Sequence, residues 1–148
     1  MAQGSTTSKD LPGLSRRLLA VLAGLFLGSI ANMGVIVVGA RLLPPPPGVD
    51  PNDVESINAH IGEYSLAQLL VPFVAHAFGT FVGAWVAARL ARPAWKWMAA
   101  GIGAAFLVGG ILAVRMIPAT PTWFAVLDLG FAYLPMAWLG ARLARARA

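Results

Sequence analysis

Asn32, His76 and Asp128 are polar side chains embedded in otherwise apolar stretches, and Arg115 stands near the end of another. In lipid such groups are costly unless they are paired, hydrated or neutralised, so each calls for either a function or a partner. Imidazole titrates near physiological pH, which makes His76 a candidate proton carrier or ligand-binding group. Asn32 and His76 each lie near the middle of an apolar run and at similar depth. A hydrogen bond between them would fix two helices together, and this is the structural alternative to a functional role. Asp128 lies about two turns into its run, too deep to reach bulk water comfortably. Arg115 comes from the nearby end of the preceding run, so an Arg115–Asp128 ion pair stands beside a functional acid as a reading of that carboxylate.

Little other chemistry is present. Asp53, Ser56 and His60 fall on one helical stripe that could hold a divalent cation, but Glu55 points elsewhere and a solvated polar face explains the same residues. Nucleophile motifs, glycine-rich phosphate loops, zinc signatures and dinucleotide fingerprints are missing, and Gly101-x-Gly103 is embedded in a helical run. The chain has no cysteine, hence no disulfide, thiol nucleophile or thiolate metal site. The expectation is a protein that is not an enzyme, with no catalytic residue, no cofactor and no metal site.

The elements that must position these residues are transmembrane helices. Hydrophobic residues make up 58% of the chain and charged residues 11%, far below the roughly 25% of a soluble domain. Uncharged runs cover residues 18–40, 64–88 and 97–114, and a fourth, 122–141, carries Asp128 as its only charge. About 20 residues cover the hydrocarbon layer, so four spans are predicted, at about 17–43, 65–90, 96–117 and 121–142. No strand-like alternation points to a barrel. Val38-Gly39-Ala40 loosely resembles a cleavage site, but the first run is longer than a signal-peptide core and reads as a retained anchor. Residues 1–12 read as a disordered tail.

Nine of the eleven bases fall on one side of this topology: Lys9, Arg16 and Arg17 before the first span, Arg89, Arg92 and Lys96 between the second and third, and Arg142, Arg145 and Arg147 after the fourth. Arg41 and Arg115 belong to the other side, with Asp50, Asp53, Glu55 and Glu63. The positive-inside rule then makes both termini cytoplasmic in a bacterial inner membrane, with the first loop outside. The net charge of +5 can also attract anionic lipid headgroups. Nucleic-acid binding is not expected, because the bases are spread over short segments.

Pro44 to Pro47 end the first span as an extended segment. Asp50 then reads as an N-cap, with Pro51 in the first helical position, opening a short amphipathic helix on the outer surface. Ser65 and Gln68 form a capping box for the second span. A short turn around Pro93 follows that span, and at the next link Thr120 is the expected cap and Pro121 the start of the fourth span. Pro135 frees the carbonyl of Phe131, so a kink is expected there. Short links make neighbours antiparallel, and the predicted fold is an all-α, up-down four-helix membrane bundle forming one domain.

Gly24, Gly28 and Asn32 recur every four residues in the first span, and Gln68, Pro72, His76, Gly79 and Gly83 make one stripe in the second. Each stripe contains a small-xxx-small pair, so the first two spans are expected to meet there. Gly103, Phe106 and Gly110 offer a face on the third. Trp95, Trp97, Trp123, Trp138 and Tyr64 lie near span ends and read as interfacial belts.

The stretches PPPPGVDPNDVES (44–56), AHAFGTFVGAWVAARLA (75–91) and PTWFAVLDLGFAYLPMAWLGARLA (121–144) resemble a group of small bacterial four-span membrane proteins with no assigned activity. That resemblance implies topology and no mechanism. Small multidrug exporters share the size and span count, but their membrane-embedded Glu in the first span has no match here, Asn32 being the nearest analogue. The leading expectation is a non-enzymatic inner-membrane protein that packs with itself, with membrane lipids or with a larger complex. A small oligomeric transporter or proton-coupled channel using His76 and Asp128 is the alternative, and a membrane enzyme comes third.

Overall fold

The computed structural model describes residues 11–91 and 94–146. Among them helix is the only regular structure: α1 (Leu11–Leu42), α2 (Val54–His60) followed by a 3-10 turn (Ile61–Glu63), α3 (Leu66–Leu90), α4 (Trp95–Met116), α5 (Thr122–Phe131) and α6 (Leu134–Ala146). Four segments are long and apolar enough to cross a bilayer: α1, α3, α4 and the α5–α6 pair. The chain is an all-helical, multi-pass membrane protein. The first ten residues of the expected tail, Lys9, Arg92, the turn at Pro93 and Arg147 lie outside the described residues. Leu11 and Pro12, also assigned to that tail, are helical, since Pro is tolerated in a first turn whose N–H groups have no intrahelical partner. Arg16 Nε then donates to the Leu90 carbonyl at 2.7 Å, tying the start of α1 to the end of α3.

The α1–α3 contact is a glycine seam. A Cβ on Gly24 would sit 2.7 Å from the Gly83 carbonyl oxygen, and one on Gly28 would sit 2.7 Å from that of Gly79. Gly39 meets Val71 further along, so the two helices run antiparallel and in contact over most of their length. With no hydrophobic effect between helices in lipid, this close approach of backbones supplies the attraction. α4 and α6 are also antiparallel, Gly103 facing Ala137 and Gly110 facing Tyr133.

α3 is the hub. It packs on α1, α4, α5 and α6, whereas α1 touches α3 and, less extensively, α4. Alanines form the common core, with Ala84, Ala87 and Ala88 of α3 against Ala99 and Ile102 of α4 and Ala137, Ala141 and Ala144 of α6. Gly140 of α6 lies directly on the Phe81 backbone carbonyl, so α3 and α6 run parallel at close range. One broad face of α1, with Phe26 67% exposed among Leu22, Ile30 and Met33, has no protein neighbour.

The capping box of α3 forms as the sequence indicates, Ser65 Oγ accepting from Gln68 N while Gln68 Oε1 accepts from Ser65 N. Two other expected caps are displaced. Asp53, not Asp50, caps α2, accepting from the backbone of Glu55 and Ser56. Asp50 instead accepts from Asn52 N in an Asx turn, its own N–H donating to Ser56 Oγ. Thr120 donates to the Ile117 carbonyl at 2.6 Å and closes a turn, which leaves Pro121 in the cap position and starts α5 at Thr122. α2 is pinned to the opposite link by a hydrogen bond from Ala119 N to Asn58 Oδ1. The last span is broken into α5 and α6 immediately before Pro135, where the kink was expected.

Candidate functional site

His76 points from the middle of α3 at the carboxylate of Asp128 on α5. Its Nδ1 lies 2.9 Å from Oδ1 and 3.0 Å from Oδ2. The Tyr133 hydroxyl donates to Oδ2 at 2.9 Å. The rings of His76 and Tyr133 stack, with centroids 5.6 Å apart and planes at 28°. Asp128 and Tyr133 are each 1% exposed, whereas the His76 side chain keeps 26%. A buried carboxylate thus has a donor for each oxygen, which is the condition for tolerating it at this depth.

Tyr133 reaches Asp128 because the helix between them is broken. Residues five apart on an unbroken α-helix are separated by about 140° and cannot meet. The turn at Ala132–Tyr133, just ahead of Pro135, swings the phenol back under the carboxylate. Gly110 of α4 gives it room, since a Cβ there would collide with the Tyr133 hydroxyl.

The ring of His76 uses only Nδ1 in this contact. A carboxylate offers lone pairs on both oxygens, and the contact of Nδ1 with both of them suits a ring that donates from that nitrogen. Nε2 makes no hydrogen bond to any described residue and is not sealed in the interior. His76 and Tyr133 line a cavity of about 190 Å³ together with Asn32, Phe106, Gly109, Gly110 and Ala113. Asn32 Oδ1 is buried there without a hydrogen-bond partner, as are Thr80 Oγ1 and Arg89 Nε elsewhere on α3.

Two expected pairings are replaced. Asn32 and His76 both border the cavity but share no hydrogen bond, because the His76 ring is turned to α5. Arg115 is exposed at the end of α4 and forms no ion pair with Asp128, which is bonded to His76 and Tyr133 instead. Depth along the spans matched Arg115 to Asp128, but Asp128 faces α3. Gly79 and Gly83 lie on the α1 seam, Gly79 receiving the Asn32 Cβ, and they position His76's helix without entering the site.

The outer-loop stripe is engaged locally. Asp53 is spent on its cap, Ser56 Oγ on Asp50 N, and His60 Nδ1 donates to the Ser56 carbonyl at 2.8 Å. Among the described residues no three His, Cys, Asp or Glu side chains gather around a common point. Burial raises the Tyr64 phenol above its ordinary pKa at the outer end of α3. Tyr133 is the member of this cluster that sequence reasoning missed, its one signal being its place between Asp128 and Pro135. No family model, no curated protein and no solved structure matches this chain.

Proposed function

We infer that this chain is a non-enzymatic protein of a bacterial inner membrane, with both termini cytoplasmic, that works as a small oligomeric transporter or proton-coupled channel around His76 and Asp128. The observation that carries this reading is the asymmetry of the histidine: Nδ1 is held by Asp128, and Nε2 is left free in a ring that borders the Asn32 cavity. An imidazole so oriented can take a proton from a water or solute in the cavity, and the neighbouring carboxylate offsets the positive charge that results. Loading and unloading one proton then costs the lipid interior no isolated cation. Tyr133 keeps the carboxylate in place throughout the exchange. Among the described residues no serine, threonine, cysteine or lysine side chain is hydrogen-bonded to this pair, which favours flux over turnover.

The test is flux. Purified protein in proteoliposomes under an imposed pH gradient should move protons or a proton-linked solute. His76→Ala and Asp128→Asn should abolish that flux while helical content and monodispersity are retained. Unchanged flux in folded variants would reduce the pair to a clamp between α3 and α5 and leave packing with lipid or a larger complex as the function.

A further inference from the structure

The opposite end of the molecule from α2 carries a second built feature. Lys96 at the start of α4 and Arg142 and Arg145 at the end of α6 surround Trp95 and Trp138. The Arg142 guanidinium lies 4.9 Å from the Trp138 ring centroid, and Arg145 and Lys96 each lie 5.5 Å from that of Trp95. These five side chains line an open cavity of about 460 Å³. None of the three bases has a carboxylate partner among the described residues, whose acids are Asp50, Asp53, Glu55 and Glu63 at the other end and Asp128 inside. The first N–H groups of α4 have no side-chain cap and add their dipole to the same spot.

The walls of this cavity continue toward the bilayer centre. Trp95, Lys96 and Trp138 also border a second cavity of about 300 Å³, whose remaining walls are Ala99 and Ala100 of α4 and Leu134, Ala137 and Ala141 of α6. A charged, aromatic-walled mouth at the interface thus opens onto an apolar groove between two spanning helices. A free phosphate would use the mouth and have no use for the groove. A neutral acyl chain would use the groove and have no use for three bases that face no carboxylate among the described residues.

We propose that this α4–α6 cleft is a binding site for an anionic phospholipid of the leaflet at that end, the phosphate headgroup lodging among Lys96, Arg142 and Arg145 and an acyl chain lying along Ala99, Ala100 and Leu134. The tryptophans hold the bases at the headgroup level through cation–π contacts and mark the boundary between the two halves of the ligand. The site is separate from the His76 cavity and does not depend on what that cavity does.

Delipidated full-length protein in mild detergent would be titrated with phosphatidylglycerol, with phosphatidylcholine of the same acyl chains and with glycerol phosphate, and bound species counted by native mass spectrometry. One phosphatidylglycerol should be retained in preference to phosphatidylcholine. Lys96→Gln, Arg142→Gln and Arg145→Gln should each weaken it about fivefold, the worth of one base near an anionic surface. Ala100→Trp, at an exposed position in the groove, should weaken the lipid and spare any binding of glycerol phosphate. Equal retention of both lipids, or full competition by glycerol phosphate, would overturn the proposal. Brominated phosphatidylglycerol on the unaltered protein gives a readout that needs no folded charge variant: quenching that survives in Trp95→Phe/Trp138→Phe at its original extent would also overturn it.

Discussion

Asp128 is held by unequal partners. Among the described residues His76 is the one side chain against it that becomes positive on taking up a proton, and Tyr133 supplies a neutral hydrogen bond. Removing His76 takes a donor from both oxygens of a buried carboxylate, and leaving such a group short of its donor costs about 1–3 kcal/mol, more where it is charged. Tyr133→Phe removes one hydrogen bond between helical segments, worth about 0.6–2 kcal/mol. Unfolding titrations in detergent should therefore rank His76→Ala below Tyr133→Phe, and equal losses would contradict this division of roles. His76 and Asp128 were legible in the sequence because a polar residue in an apolar run stands out. Their pairing was not, because depth along a span says nothing of the direction a side chain faces. Tyr133 was hidden by its type, since a tyrosine among apolar residues reads as packing.

At the scale of elements, Pro135 is what makes the three-residue site possible. It stops α5 at Phe131 and restarts the helix at Leu134, and the break carries the phenol across the angle that a continuous helix would impose. Pro135→Ala should restore the missing donor, straighten the segment and uncouple Tyr133 from Asp128. A double-mutant cycle of Tyr133→Phe with Pro135→Ala measures this, and an interaction energy indistinguishable from zero would show the two residues to be independent. The four spans and the capping box at Ser65 were legible from length, hydropathy and spacing. The cap of α2 was not, because Asp50 and Asp53 both suit an N-cap and only the local competition for Asn52 N and Ser56 decides between them.

For the whole molecule, the up-down order places Arg16, Arg17, Arg89, Lys96, Arg142 and Arg145 at one end and Asp50, Asp53, Glu55 and Glu63 at the other. The native chain has no cysteine, so single introduced thiols report sidedness cleanly. In intact cells Glu55→Cys should react with a membrane-impermeant maleimide and Arg145→Cys should react only after permeabilisation, and the reverse pattern would invert the orientation inferred from the bases. The general architecture was readable before any coordinates, since antiparallel neighbours follow from short links. The hub was not: contact between α3 and the parallel α6 joins elements with no direct connection, and it rests on the lack of a Cβ at Gly140.

The bond between His76 and Asp128 spans 52 positions of the chain. That contact joins α3 to α5, so it can close only once the last span has been made and has packed beside the second. A chain truncated ahead of Asp128 should therefore leave the imidazole without its carboxylate and be less stable in the membrane than the full chain, which pulse-chase turnover measures.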